Sequence, residues 1–120
     1  MIEVARRDEK SKETISFDNV VDHVAELLED IQVNLFNRAK KYRDEHISEV
    51  NSFEEFKQLL NTKGGFISAH WDGTSETELK IKEETSATIR CIPLENTKEA
   101  GSCIYSGKPS NHRVLFAKAY

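Results

Sequence analysis

The chain has 120 residues, of which 38% are hydrophobic and 32% charged, with a formal net charge of −4. This is the size and composition of one soluble globular domain, and the acidic balance argues against a free-standing nucleic-acid binder. The sequence lacks an apolar run long enough to cross a membrane and lacks a signal-peptide pattern, and its two cysteines are too few for a disulfide framework. We therefore expect a cytoplasmic protein with reduced thiols.

The first elements predicted along the chain are a short hairpin and a long helix. Residues 2–8 alternate as a strand, and residues 13–17 are expected to pair back as a second strand. Apolar residues then recur at helical spacing from Asp18 to His46, with Ser16 or Asp18 as the cap. At about 1.5 Å per residue this helix would be roughly 40 Å long, which exceeds the width of a small sheet. The length favours a helix that connects two domains.

Two shorter helices follow. Ser52 to Glu55 form a capping-box pattern that begins a core helix, and Gly64-Gly65 ends it because glycine adopts the left-handed turn. Ser75 to Glu78 repeat the capping pattern for a second helix that reaches Ser86, whose alternating lysines and glutamates indicate an exposed face.

Four apolar, β-rich runs lie in the second half of the chain: GGFISAHW, SATIRCIP, GSCIYSGKP and RVLFAKAY. Pro93 closes the second run, which is consistent with an edge strand or a strand end. The elements together predict an α+β fold, a two-layer sandwich in which a small mixed sheet of about four strands packs on helices. One long N-terminal helix and a short N-terminal hairpin complete it.

The residues alone give weak signals for catalysis. Cys103 and Ser106 have the spacing of a redox-motif remnant with His112 close in sequence, but a lone cysteine is more often a small buried apolar residue. The segment from Gly101 to Gly107 lacks the spacing of a phosphate-binding loop. Carboxylates on the second short helix are expected to be solvated: Glu76, Glu78, Glu83 and Glu84.

The ordered segments GGFISAHW, IKEETSATIRCIP, GSCIYSGKPS and RVLFAKAY resemble the carboxy-terminal module of prolyl-tRNA synthetases of the archaeal and eukaryotic type. The resemblance covers residues 64–120 well. It extends more loosely to Arg6-Arg7-Asp8 and to the long helix, which resemble the exit from that family's anticodon-binding domain. It implies three segments: residues 1–17 as the last strands of the anticodon-binding domain, 18–47 as a connecting helix, and 48–120 as the C-terminal α/β module. Met1 is then expected to be the start of a fragment.

The resemblance also implies the location of a structural zinc site. Relatives place two cysteines after the tryptophan strand and two more in the Gly-Lys-Pro turn, and these positions fall here on Asp72, Thr77, Cys103 and Ser106. Because only one is a thiol, we predict that zinc is absent and that hydrogen bonds among Asp72, Thr77 and Ser106, with core packing, close the site. An intact zinc site that recruits His70 or His112 is the alternative.

The implied function is that of a proline–tRNA ligase, with ATP and magnesium bound in a catalytic domain outside these residues. The fragment itself is expected to have no catalytic residue and to brace the catalytic and anticodon-binding domains, in an enzyme that binds tRNA-Pro and forms a homodimer. Tyr120 either directs its carboxylate toward the active site or only closes the edge of the sheet. Arg6 and Arg7 either contact tRNA or a neighbouring domain, or form a solvated strand end.

Two other classes of function stay open at this point. One is a stand-alone RNA- or ribosome-binding α/β module, against which the acidic charge weighs. The other is a degenerate zinc-ribbon metalloprotein, which bound zinc would reveal.

Overall fold

A hairpin and a long helix form the first unit, Met1–Asp44, in the computed structural model, which describes residues 1–119. Strand β1 (Ile2–Ala5) pairs antiparallel with strand β2 (Lys12–Ile15). A 3-10 turn follows, and the Oγ of Ser16 caps it by accepting a hydrogen bond from the Asp18 backbone N–H. Helix α1 then runs over Val20–Glu45. The predicted hairpin and long helix are therefore present, although both strands are shorter than expected.

Helix α1 ends one residue earlier than predicted, and the next residues form a strand that the sequence analysis missed. The carbonyl of His46 accepts a hydrogen bond from the Phe66 backbone N–H at 2.9 Å, a contact within the second unit, which begins at Glu45. Strand β3 (Ile47–Glu49) follows directly. The prediction that residue 47 is helical is therefore wrong.

The second unit begins at Glu45 and is built on a four-stranded mixed sheet. After β3 its elements are α2 (Phe53–Asn61), β4 (Phe66–His70), α3 (Ser75–Thr85), β5 (Ala87–Cys91) and, after a short ribbon, β8 (Arg113–Lys118). The strand order is β3-β4-β8-β5, in which β3 and β4 are parallel and the other two pairs are antiparallel. Helix α2 connects the parallel pair, since parallel strands need a crossover. The α+β prediction is confirmed, and β5 is the edge strand that Pro93 indicated.

The ends of the helices follow from local chemistry. Ser52 caps α2, and its Oγ accepts a hydrogen bond from the Glu55 backbone N–H at 3.3 Å. Gly65 has a φ of +77°, and a Cβ there would collide with the carbonyl of His46. Helix α3 is capped by Thr74 and not by Ser75, so that prediction was wrong by one residue. Thr74 has the extended backbone that a cap requires.

The core of the second unit lies between the sheet and the helices α2 and α3. Its largest fully buried side chains are Phe56, Phe116, Ile67 and Ile81. Phe56 packs edge-to-face on Phe116, with ring centroids 5.2 Å apart. Alternate residues of β4 and β8 supply this face, as the period of two along a strand requires.

The run GSCIYSGKP is not a strand of the main sheet, which corrects the prediction. It forms a separate two-stranded ribbon of β6 (Gly101–Ser102) and β7 (Pro109–Ser110). Between them the Cys103 N–H donates to the carbonyl of Lys108, and the Gly107 N–H donates to the carbonyl of Cys103. The backbone N–H and C=O groups of the turn bond to one another, so few of them remain to pair with a neighbouring strand. Strand β3 takes the fourth place in the sheet.

Among the residues that the structure describes, no helix combines the length and the apolar character that a bilayer-spanning segment needs.

Candidate functional site

Asp72 is the central acceptor of a hydrogen-bonded cluster where β4 leads into α3. Its Oδ2 accepts hydrogen bonds from Thr77 Oγ1 at 2.7 Å and from Ser106 Oγ at 2.6 Å. Its Oδ1 accepts from Thr74 Oγ1 at 2.8 Å and from the Thr74 backbone N–H at 3.0 Å. We call Asp72, Thr74, Thr77 and Ser106 the Asp72 cluster. The hydrogen bonds expected among Asp72, Thr77 and Ser106 are therefore present, because the hydroxyls of Thr77 and Ser106 both donate to the Asp72 carboxylate.

The Asp72 cluster joins two segments that are far apart in the sequence. Ser106 lies in the turn between β6 and β7, whereas the other three residues lie between β4 and the first turn of α3. The turn is fixed further by the Ile104 N–H, which donates to the carbonyl of His70 at 3.1 Å. The Lys108 N–H donates to Ser106 Oγ at 3.3 Å, which orients that hydroxyl toward the carboxylate. The cluster thus anchors the ribbon to the loop after β4.

The electrostatics favour an ionised carboxylate at the centre of the cluster. Partial burial raises the pKa of Asp72, but the hydrogen bonds from Ser106, Thr77 and Thr74 together outweigh this effect and hold the pKa well below its ordinary value. Hydrogen bonds donated to a carboxylate stabilise its charged form, so their loss would weaken the cluster.

The donor set does not fit structural zinc. Thr77 and Ser106 offer neutral hydroxyls that already donate to Asp72, and Cys103 is the only thiol at the four positions. A structural zinc site needs four thiolate, imidazole or carboxylate ligands in tetrahedral geometry. Within residues 1–119, no group of three or more histidine, cysteine, aspartate or glutamate residues is arranged to hold a metal ion.

Neither of the two alternative histidine ligands is placed to complete a zinc site. His70 is only 5% exposed, and its Nδ1 lies 2.9 Å from Ser110 Oγ. Because Ser110 Oγ donates to the carbonyl of His112, it accepts from His70, so Nδ1 carries the proton. Its Nε2 faces Glu99 at 3.5 Å. The side chain of His112 is exposed.

Cys103 is buried, with 3% of its surface exposed, and Cys91 is exposed; both are free thiols. A buried thiol among apolar side chains is poorly placed to act as a nucleophile. The carboxylates of α3 are engaged or solvated: Glu76 pairs with Lys80 at 2.7 Å, which lowers the pKa of Glu76, and Glu84 accepts from the Tyr105 hydroxyl at 2.7 Å. None of these groups forms a catalytic pair.

Arg6 is not a solvated strand end, which corrects the simpler reading of that residue. Its guanidinium binds Asp8 at 2.7 Å and also pairs with Asp30 on α1. The Asp8 side chain is only 2% exposed and accepts a further hydrogen bond from Asn34 at 2.6 Å. The hydrogen bond from Arg6 lowers the pKa of Asp8 far below its ordinary value. The pair joins the hairpin to α1.

Arg7 is the exposed member of the arginine pair. Its side chain lines an open groove of about 530 Å³ with Ala5, Ile31 and Leu35, and it forms no hydrogen bond or ion pair within residues 1–119. Of the two predicted contact residues, Arg7 alone remains free to meet a partner. Tyr120, the other predicted site residue, lies outside the described residues.

Sequence reasoning missed a second polar cluster, centred on Arg113 in β8. Its Nη1 donates to the carbonyl of Val50 at 2.9 Å, and its Nε donates to Glu99 at 2.7 Å. The hydrogen bond from Arg113 lowers the pKa of Glu99, whose carboxylate also faces His70. An arginine within an apolar strand is a signal that a buried partner is required, although the sequence does not identify the partner.

Comparison with known proteins identifies a family. The model of the family described as "Prolyl-tRNA synthetase, C-terminal" matches residues 53–120. The proline–tRNA ligase of Flavobacterium johnsoniae is 64% identical over 118 residues, which cover 98% of this chain and 24% of that protein. Those of Christiangramia forsetii and Porphyromonas gingivalis are 56% and 58% identical over 119 residues, with 99% and 24% coverage. The chain thus spans about a quarter of the length of these curated relatives.

Proposed function

The chain belongs to the family of prolyl-tRNA synthetase C-terminal domains, and from this membership we propose that it is part of a proline–tRNA ligase. The whole enzyme activates proline with ATP and attaches it to tRNA-Pro. The observation that carries the proposal is the 64% identity, over nearly the whole chain, to a protein named proline–tRNA ligase. Because the chain covers 24% of that relative, we assign the ATP and magnesium sites to the part outside these 120 residues.

Within this enzyme we propose that the 120 residues are a non-catalytic module that braces the catalytic and anticodon-binding domains. The polar side chains of the Asp72 cluster are occupied in joining the ribbon to the loop after β4. The Arg113 cluster is likewise occupied in joining β8 to backbone carbonyls. The side chains of these two clusters therefore hold the module together, and they do not combine a nucleophile, a base and an oxyanion donor in one active-site arrangement.

Residues 1–17 and α1 fit the end of an anticodon-binding domain that lacks its other elements. Helix α1 has no buried residue over its 26 residues. Large apolar side chains on it are exposed, among them Val21, Leu28, Leu35 and Phe36. An apolar stripe of this size on a soluble protein marks a lost or shared interface. We infer that other parts of the synthetase cover α1, and that Arg7 faces tRNA or a neighbouring domain.

We propose that the module is free of zinc. The support is the chemistry of Asp72, Thr77 and Ser106, whose oxygens are already hydrogen-bonded to one another. Elemental analysis of the purified protein, with its stoichiometry referred to protein concentration, is expected to find zinc well below one equivalent per chain. One equivalent that is lost in a Cys103→Ser variant would contradict the proposal.

Three further features of the enzyme belong to the same proposal. We place it in the cytoplasm as a homodimer. We also propose that the Tyr120 carboxylate approaches the active site, since a fixed negative charge can orient an active-site loop. Removing Tyr120 from the full enzyme is then expected to lower kcat for charging with little change in stability, whereas a purely structural residue would change stability instead.

The activity is tested with the full-length gene product. It is expected to catalyse proline-dependent exchange of pyrophosphate into ATP and to charge tRNA-Pro, while the 120-residue chain does neither. Alanine and cysteine in place of proline serve as specificity controls. Failure of the full-length protein to charge tRNA with proline would remove the proposal. The alternative of a stand-alone RNA- or ribosome-binding module has no support from the comparisons, since the matched relatives are synthetases four times its length.

A further inference from the structure

The main sheet of the second unit has two unequal faces. Helices α2 and α3 cover the face that carries Ile67, Val114 and Phe116, all of which are buried. Residues that alternate with these point to the other side of the sheet. On that side Ile47 is opposite Phe66 across β3 and β4, and Cys91 is opposite Leu115 across β5 and β8. We call Ile47, Phe66, Arg90, Cys91, Leu115 and Ala117 the open sheet face.

Part of this side is covered by the second unit itself. At one end of β4, Gly101 of the ribbon lies so close to the His70 ring that a Cβ would collide with it. At the other end Phe66 is 37% exposed. There a groove of about 600 Å³ is lined by Gly65, Phe66, Arg90, Ala117, Lys118 and Ala119. The second unit therefore closes one end of this side and leaves the other open.

Arg90 is the charged residue of the open sheet face. The register of β5 against β8 shifts between Ile89 and Cys91, so Arg90 is the extra residue of a β-bulge. Bulges redirect side chains, and Arg90 lines the same groove as Phe66, with β8 between their two strands. Arg90 is exposed and forms no hydrogen bond or ion pair within residues 1–119. Arginine and aromatic side chains that are exposed on one groove are typical anchor residues of protein interfaces.

We propose that the open sheet face is the surface on which the second unit docks against the rest of the synthetase chain. The occupant is a segment of that same polypeptide outside these 120 residues, with apolar side chains for Phe66 and a carboxylate for Arg90. The relatives place about three quarters of their length outside the matched region, so a large covalently linked partner exists. A linked partner also has a high effective concentration, so a small apolar patch with one ion pair suffices to hold it.

This inference rests on the proposed function, because it needs the longer chain. An RNA occupant is disfavoured, since the chain has a net charge of −4 and the groove offers two cations, Arg90 and Lys118, beside the apolar residues of the open sheet face. A second copy of this chain would have to present a carboxylate to Arg90 through the same patch. Glu49, which is opposite Ser68 across β3 and β4 and so lies on the same side of the sheet, already forms an ion pair with Arg113 at 3.3 Å. Charge complementarity with Arg90 therefore favours a different surface.

The full-length synthetase contains its own probe of this surface, the Cys91 thiol. We would measure alkylation of Cys91 by a maleimide, using peptide mass spectrometry to resolve it from other cysteines. The matched control is a Glu83→Cys variant, because Glu83 is on the exposed side of α3. We expect Cys91 to react at least about tenfold more slowly than the control thiol, although Cys91 is exposed in the structure of residues 1–119.

Two variants make the result specific. Phe66→Asp and, separately, Arg90→Glu are each expected to bring the Cys91 rate to that of the control thiol. Equal rates for the two thiols in the unmodified enzyme would overturn the inference. Protection that disappears on dilution as the enzyme becomes monomeric would also overturn it, since the occupant would then be a second copy. Charging of tRNA is measured on the same samples, so an enzyme that protects Cys91 but does not use proline would count against the proposed function alone.

Discussion

Replacing Asp72 by asparagine tests whether the Asp72 cluster stabilises the second unit. The change keeps the size of the side chain and leaves one oxygen to accept from Thr74. It removes the acceptor of Thr77 Oγ1 and Ser106 Oγ, which lie at 2.7 and 2.6 Å. A hydrogen bond to a charged acceptor contributes about 1.5 kcal/mol at the lower end, so the two together contribute about 3 kcal/mol. Since both hydroxyls can turn and accept from the new amide, we expect a loss of about 1–2 kcal/mol.

The assay uses the single tryptophan of the chain. Trp71 precedes Asp72, and its Nε1 donates to the carbonyl of Thr74 at 3.0 Å, so its fluorescence reports on this part of the fold. Urea unfolding at pH 7 gives the free energy of unfolding for each variant. Asp72→Ala is expected to lose about 2–4 kcal/mol because it offers no acceptor. Glu83→Gln, which removes one exposed charge, is the control. Variants at Asp72 that unfold at the same urea concentration as this control would refute the reasoning.

The same variant has a defined dependence on pH. The pKa of Asp72 is lower in the folded chain than its ordinary value, so the folded chain stabilises the ionised carboxylate more than the unfolded chain does. The stabilising contribution is therefore complete above the unfolded pKa of about 3.9 and is lost as the pH falls through the lower folded value. The difference in stability between the original chain and Asp72→Asn should shrink when unfolding is repeated below about pH 4.

Four further substitutions probe the rest of the structure. Asp8→Asn weakens the charged contacts between the hairpin and α1, so hydrogen exchange should become faster at the hairpin amides while the second unit keeps its rates. Gly101→Ala forces a methyl group against the His70 ring, and thermal unfolding should show a loss of about 1–3 kcal/mol, whereas no change would mean that the ring moves freely. Cys103→Ser places a hydroxyl among apolar side chains and should cost about 1–3 kcal/mol. Cys91→Ser at the surface should stay within about 0.5 kcal/mol of the original chain.

Local chemistry was sufficient to predict that three helices form. Ser52 begins α2 because capping depends on residues close in sequence, whereas α2 ends at Asn61 with Thr62 as its C-cap, and the N–H of Gly64 donates back to the carbonyl of Leu59. Thr74 was missed as the cap of α3, although Asp-Gly-Thr is an Asx-turn pattern in which the aspartate accepts from the residue two positions later. The predicted bonds of Asp72 came from the resemblance, which aligned positions that are 34 residues apart in this chain.

Features that depend on distant partners could not be predicted. Strand β3 has three residues, too few for an alternating pattern, and it is a strand because Ile47 to Glu49 lie beside β4. The ribbon was assigned to the main sheet because its composition is that of a strand, and only the hydrogen bonds within its turn show otherwise. Arg113 meets Val50, which is 63 residues away, so neither residue indicates the other.

The position of β8 between β4 and β5 has a consequence for biosynthesis. The ribosome makes residues 66–70 and 87–91 before the strand that hydrogen-bonds to both of them. Domains fold as units while synthesis proceeds at about 5–20 residues per second, but this sheet has no bond between its two halves until residues 113–118 emerge. On the nascent chain, the apolar sides of β4 and β5 are therefore available to chaperones, and the module becomes protease-resistant only after residues 113–118 have been made.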